Sequence, residues 1–287
     1  MDKFTAVRKT RKAVLSLLGR DHGAVLFQTV YGFAILIPGW DPDILIAALN
    51  GRILHPRLTE IFLAVIEPGD TFVDAGANVG FYSLLAATAL KGDGHVVSFE
   101  PDRRNYPILR SNAKINHLDT LIQVEPKALS DRECELAFWS APNNSWGGSL
   151  VELPDTQSRK YIVSATTLDQ YVASAKLDHV DIIKLDIEGA EPLALHGMPS
   201  ALRTARLVAY EINKPRLNQL KVLPMDLIEK TSESGQFEFT LISNEQTDEF
   251  FPLEDIRSTE ILNNHDWANV VSAKGDAAHR LREMFRT

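Results

Sequence analysis

The chain of 287 residues contains a single cysteine, Cys134. That excludes an intrachain disulfide and any zinc or iron–sulfur site built on several thiolates, and the expected compartment is the reducing cytoplasm. Positive charge is also scarce: 30 Lys and Arg face 38 Asp and Glu, for a net charge of −8. With no long basic tract beyond the N-terminus, nucleic acid is a poor candidate partner. Long apolar runs are missing as well. The stretch 13–19 near the N-terminus is interrupted by Ser16 and Gly19, too short to span a bilayer and unlike a signal peptide. What remains is an ordinary globular composition, 45% hydrophobic and 24% charged, ample for a core that needs no metal or disulfide.

The first twenty residues interleave Lys3, Arg8, Lys9, Arg11, Lys12 and Arg20 with Phe4, Val7, Val14, Leu15 and Leu18, which reads as an amphipathic helix packed on the body. Residues 24–37 read as a hairpin, two apolar β-branched runs flanking Tyr31-Gly32. Helices are expected over 42–50 and 56–66, the second opened by Pro56 and closed by Pro68-Gly69. From residue 70 the pattern alternates. Strands are expected near 71–75, 95–100, 121–128, 181–187, 206–212, 237–243 and 268–273, with helices near 79–90, 103–116, 189–203 and 216–233. Such alternation implies an α/β fold, a mainly parallel seven-stranded sheet covered by helices on both faces. Residues 131–165 break the rhythm and read as an inserted β-hairpin. The expected division is an extension over 1–54 and one domain over 55–287.

The run Val73-Asp74-Ala75-Gly76-Ala77-Asn78-Val79-Gly80-Phe81-Tyr82-Ser83 passes from a short strand directly into a helix. Gly76 and Gly80 let backbone approach a ligand closely, and the helix start near Asn78 aims free N–H groups at it. Glu100, closing the second strand twenty positions after Gly80, stands where an acid accepts both hydroxyls of a ribose. Asp74 could take a cationic amino group directly or through water. The dinucleotide fingerprint G-x-G-x-x-G is absent, because Asn78 and Phe81 occupy its second and third glycine places. Asp-x-Gly-x-Asn-x-Gly instead resembles motif I of class I methyltransferases, with S-adenosylmethionine as cofactor.

Asp-Ala-Gly-Ala-Asn-Val-Gly-Phe-Tyr-Ser, Phe99-Glu100-Pro101-Asp102, Thr167-Leu168-Asp169-Gln170-Tyr171 and Lys184-Leu185-Asp186-Ile187-Glu188-Gly189-Ala190-Glu191 follow in that order. Together they resemble the FkbM family of S-adenosylmethionine-dependent methyltransferases over about residues 55–215. The resemblance implies a Rossmann-like fold and a small-molecule or glycan acceptor, methylated on a hydroxyl of a sugar or polyketide-type product. The expected cofactor residues are Asp74, Gly76, Asn78, Gly80, Phe81, Glu100, Pro101 and Asp186, with Glu60 bordering the methionine end. Still open are an N-acceptor and a cofactor-binding protein without turnover.

A hydroxyl that attacks a sulfonium methyl must lose its proton, so a base close by is required. In extended backbone Lys184, Asp186 and Glu188 point to one side. Asp186 is the first candidate for base or orienting group, and Glu188 the second. Lys184 and Glu188 pairing with each other is the plain alternative, and Glu191 is expected on a helix surface. His265 and His196 are bases by type, and Trp139, Trp146 and Trp267 stand in or near loops that could overhang a pocket. Asp186, Glu211 and Asn213 form an alternative Mg²⁺ site. It is not favoured, because no dense cluster of acids is expected around them.

Overall fold

The computed structural model describes residues 23–41, 44–45, 48, 55–141, 144–152, 158–244 and 247–285. The segment 1–20 and most of the helix expected over 42–50 lie outside the described residues. A hairpin of β1 (Ala24–Gln28) and β2 (Ala34–Pro38) precedes α1 (Pro56–Val65). There follow β3 (Thr71–Ala75), α2 (Phe81–Ala89), β4 (His95–Phe99), α3 (Asn105–Ile115) and β5 (Ile122–Glu125). Three strands, β6 (Ala128–Leu129), β7 (Cys134–Ser140) and β8 (Arg159–Thr166), form a small separate sheet. Then come α4 (Leu168–Ala175), β9 (Ile182–Leu185), α5 (Glu191–His196), α6 (Pro199–Thr204) and β10 (Leu207–Asn213). The remaining elements are α7 (Lys214–Leu220), α8 (Pro224–Gly235), β11 (Phe239–Asn244), β12 (Glu249–Pro252), α9 (Ile256–Asn264), β13 (Trp267–Ala273) and α10 (Gly275–Met284).

The main sheet has eight strands in the order β12-β11-β13-β10-β9-β3-β4-β5. From β5 to β10 every pair is parallel, and β13, β11 and β12 join antiparallel. This is the expected Rossmann-like class with one strand more than expected, β12, a short edge partner of β11. Alternate residues feed two cores. Phe72, Val96, Ile182 and Leu207 pack with α1, α2 and α10 on one face, whereas Val73, Val97, Ile183 and Val208 pack with α4, α6 and α8 on the other. Burial on both faces is what a parallel sheet requires.

Proline sets several boundaries that apolar periodicity runs through. The helix expected over 189–203 is two, separated where Pro199 begins α6. That expected over 216–233 is likewise split, at Pro224, since a proline inside a helix removes a backbone bond and clashes with the preceding turn. Pro126 similarly parts β5 from β6, which turns away to pair with β8.

The N-terminal hairpin shares the first core, placing Phe33, Ile35 and Ile37 beside Phe62 and Leu84. Two asparagines one turn apart on α3 fasten it. Leu36 N donates to Asn112 Oδ1 (2.7 Å) while Asn112 Nδ2 donates to Leu36 O (3.0 Å). Ala34 N donates to Asn116 Oδ1 (2.8 Å) and Asn116 Nδ2 to Ala34 O (2.6 Å). The two side-chain amides thus act as a neighbouring strand for the outer edge of β2. Asn112 Nδ2 also donates to Val79 O (2.7 Å), joining the hairpin to the glycine loop. Asn112→Ala leaves three backbone groups, one buried and two half-buried, without this partner. We expect it to lower the unfolding free energy by about 2–4 kcal/mol in urea denaturation, with little change expected for Ser111→Ala on the exposed face.

Candidate functional site

The strand order reverses between β3, which continues to β4, and β9 on its other side. Ligands of open α/β sheets sit beyond the strand ends at such a point. A cavity of about 570 Å³ lies there, bounded by the Gly76 loop, the ends of β4 and β9, the hairpin and the inserted loop.

Its floor is ionic. Asp74 and Lys184 are neighbours in register on β3 and β9, both buried, with Lys184 Nζ 3.0 Å from Asp74 Oδ1. The same ammonium donates to Gly76 O (3.3 Å) and lies 3.6 Å from Asp186 Oδ2. Ser83 Oγ donates to Asp74 Oδ2 (2.7 Å), and Ser98 Oγ donates to Ser83 Oγ (2.8 Å). Asp74 therefore lies beneath the loop with both oxygens engaged rather than among the lining residues. Above it the Gly76 loop presses on the β9 turn. A Cβ on Gly76, whose φ is +72°, would fall 1.8 Å from the Asp186 carbonyl oxygen.

One end of the cavity is prepared for a polar, planar ligand. Asn78 N donates to Glu100 Oε2 (2.6 Å) and Asp102 N to Glu100 Oε1 (2.7 Å). Burial pushes the Glu100 carboxyl up to about 8, against the downward pull of these amides. Around it Ser145 is a hub, donating through N and Oγ to buried Asp41 (2.6 and 2.7 Å). Its carbonyl accepts from Asn105 Nδ2 (2.9 Å) and its Oγ from Asn78 Nδ2 (3.4 Å). Asn78 Oδ1, Asn105 Oδ1 and Trp146 Nε1 are buried without hydrogen-bond partners, although all three residues line the cavity. Such atoms are costly unless a ligand or water completes them. Two acceptors and a donor beside the Glu100 carboxyl form a set that fits an adenosine.

The other end is acidic. Asp186, Glu188 and Glu211 offer carboxylate oxygens within 4.8 Å of one another. β9 stops at Leu185, so Glu188 arrives through a left-handed turn, φ +56°, rather than by strand alternation. Glu188 faces Arg216 (3.9 Å) instead of Lys184. Asn213 is not part of this group: it is buried and its Oδ1 accepts from Arg216 N as the cap of α7. The expectation that no acid cluster surrounds Asp186 is thus corrected, with Glu188 in the place given to Asn213.

Gly76, Asn78, Phe81, Glu100, Pro101, Asp186, Glu188 and Glu211 line the cavity, as does Trp146. Gly80 acts one layer behind, capping α2 at φ +96°. Glu60 is on the exposed side of α1, paired with Arg57 (2.7 Å), and is not among the lining residues. His265 ends α9 and exposed His196 ends α5, both outside the lining. Trp139 stacks under Lys160 in β7, and Trp267 is exposed at the start of β13. Glu191 is buried rather than on a surface, accepting from Ile187 N (2.9 Å), and burial pushes it up to about 7. Sequence reading missed Asp41, Asn105, Ser145, Arg216, His55 and Asp248, none of which stands in a motif.

A family model described as Methyltransferase FkbM domain matches residues 74–246. Among curated proteins, the hexuronic acid methyltransferase AglP of Haloferax volcanii is 26% identical over 153 residues, 53% of this chain and 60% of AglP. The AMB antimetabolite synthetase AmbE of Pseudomonas aeruginosa is 25% identical over 189 residues, 53% of this chain and 9% of AmbE. The chain thus spans about three fifths of the first relative and a small part of the second. Among solved structures, the methyltransferase FkbM of Methylobacillus flagellatus has a TM-score of 0.47 at 15% identity, covering 94% of this chain and 59% of that one. The O-methyltransferase of Bacillus cereus in complex with SAH has a TM-score of 0.45 at 14% identity, covering 80% of this chain and 88% of that one. With the matched region running from Asp74 through Glu100, Lys184 and Glu211, the chain belongs to the FkbM methyltransferase family.

Proposed function

We propose that this protein moves the methyl group of S-adenosylmethionine to a hydroxyl oxygen, and that the acceptor is a neutral sugar or polyol. The observation that carries this reading is one cavity with two chemically distinct ends, joined at the Gly76 loop. When bound, the cofactor supplies an electrophilic methyl on a positively charged sulfur. Glu100 keeps a free lone pair on each oxygen for the ribose hydroxyls, and Asn78, Asn105 and Trp146 complete the adenosine surface. The acidic end then holds the cationic methionine portion and the acceptor. There Asp186 accepts a hydrogen bond from a hydroxyl beside the reacting one and so orients the acceptor, with Glu188 as its neighbour.

The relative AglP acts on a hexuronic acid, which supports a sugar-like acceptor. The carboxylates of Asp186, Glu188, Glu211 and Asp248 on this cavity wall argue for an uncharged one, since like charges juxtaposed in a binding site are repelled strongly. With radiolabelled S-adenosylmethionine and a panel of matched glycosides, we expect hexosides to be methylated faster than the corresponding hexuronides by about tenfold or more. Faster turnover of the hexuronides overturns the neutral-acceptor reading, and no labelled product from any member overturns the oxygen-acceptor reading. Asp186→Asn is expected to lower turnover by about 100-fold through misorientation, with affinity for S-adenosylhomocysteine kept within about threefold.

Turnover is expected to survive exhaustive chelation. The Lys184 ammonium 3.6 Å from Asp186 Oδ2 already supplies the positive charge that a divalent cation would bring. Loss on chelation with recovery on added Mg²⁺ would instead make Asp186, Glu188 and Glu211 ligands.

Glu100 gives a pH signature. Its folded pKa of about 8 lies above the ordinary 4.5, so the fold prefers the acid form and apo stability declines as pH rises across that interval. Ribose hydroxyls bind the ionised form better. Calorimetric affinity for S-adenosylhomocysteine is therefore expected to tighten as pH rises toward 8. In Glu100→Ala it is expected to be weaker by about 10–150-fold, equivalent to about 1.5–3 kcal/mol, and flat across the same range.

A further inference from the structure

One pair of titratable side chains in the cavity has no part in the carboxylate cluster. His55 Nδ1 lies 3.9 Å from Asp248 Oδ1, and both residues line the cavity. Each holds a left-handed backbone conformation, φ +47° and +57°, a costly state for residues with a Cβ that tends to persist at functional sites. Asp248 is anchored, its Oδ2 accepting from Arg57 N at 2.7 Å. His55 stands at the N-cap of α1, yet its side chain caps no amide there, so helix capping does not account for it. The pair lines the same cavity as Asp186, Glu188 and Glu211. Tyr82, whose ring lies 5.2 Å from Lys184 Nζ, is held well above the usual phenol range, first by burial and then by Asp186, Asp248 and Asp74. Asp248 and Asp186 therefore both act on the charge state of this phenol.

We propose, resting on the oxygen-acceptor reading above, that His55 is the catalytic base and Asp248 its positioning residue. Asp248 holds Nδ1–H, and the bare Nε2 takes the proton of the acceptor hydroxyl. The oxygen–carbon bond forms as the carbon–sulfur bond breaks, sulfur leaves as a neutral thioether, and the proton stays on an imidazolium paired with Asp248. The 3.9 Å separation is long for a hydrogen bond, as catalytic contacts commonly are before substrate tightens them. Asp186, in this arrangement, orients the acceptor through a hydroxyl beside the one that His55 deprotonates.

The pair can be tested without an acceptor. Imidazole ¹⁵N NMR of the full chain, with His55→Gln identifying the resonance, is expected to show the Nδ1–H tautomer in the wild type. In Asp248→Asn the ring should revert to Nε2–H, the form an unperturbed histidine side chain prefers. With the best glycoside of the panel, His55→Gln is expected to lose about 100-fold in turnover or more while calorimetric affinity for S-adenosylhomocysteine stays within about threefold. An Nε2–H ring in the wild type overturns the proposal, as does His55→Gln turning over within about threefold of wild type. If no glycoside is methylated, the oxygen-acceptor reading fails by itself, and the tautomer still decides whether Asp248 poises Nε2 as an acceptor. Should His55→Gln fail to fold, the comparison of wild type with Asp248→Asn carries the same decision.

Discussion

The ammonium of Lys184, closed off from solvent between Asp74 and Asp186, is the interaction on which the site depends. Burial by itself would lower a lysine's pKa; the two carboxylates more than offset it and hold Lys184 above its usual range. Removing one partner of such a buried pair leaves an uncompensated charge, commonly at a cost of about 3–5 kcal/mol. The geometry also converts charge into position. Lys184 and Asp74 sit at the same level of adjacent strands, so the sheet fixes the ammonium, and the ammonium fixes the Gly76 carbonyl (3.3 Å) and the Asp186 carboxylate. The Gly76 loop and the Asp186 carboxylate are thus located by one buried group.

Around that anchor the backbone repeatedly takes the left-handed conformation. Gly76, Asn78 and Gly80 do so within one loop, and Glu188 and Gly189 in the facing one. At two of these glycines the neighbouring chain leaves no room for a side chain. At Gly76 a Cβ would strike the Asp186 carbonyl, and at Gly189 it would fall 2.2 Å from Arg216 Cβ. Asn78 and Glu188 carry side chains in the same region and are held by what they touch. Asn78 N donates to Glu100, while the Glu188 carbonyl accepts from both Arg216 Nη1 and Ser149 Oγ (2.8 Å each).

The legible part of this architecture is the part written locally. Strand alternation, the glycine loop and Glu100 all rest on neighbours within about twenty positions, so β3, α2 and β4 could be read directly. Helix continuity was over-read at Pro199 and Pro224, where apolar spacing persists across a residue that cannot continue the helix. The site failed to be legible wherever it is assembled by topology. Asp186 and Lys184 were visible as a motif, but the partner of Lys184 comes from β3, not from the adjacent Glu188. His55 and Asp248 stand in no recurrent pattern and meet only because β12 brings its preceding turn to the start of α1. Asn112 and Asn116 read as ordinary helix polar residues until β2 lies beside them.

The inserted sheet shows why the two ends of the cavity form one device. Its loop engages the Glu100 end through Ser145, bound to Asp41, Asn78 and Asn105. Four residues later Ser149 pairs by backbone with Trp139 and gives its hydroxyl to the Glu188 carbonyl. The same short stretch therefore grips the loop that shapes the cofactor end and the turn that presents the acidic end. Glu100 reaches it from the other side, since Asp102 next to it is bound to Arg104 and to Ser140 of β7. Asn78, Asn105, Ser145 and Glu188 are consequently each tied to a neighbour in a different segment of the chain. A substitution in the insert that touches neither ligand can still move both ends relative to Lys184, which no local reading of the loop would reveal.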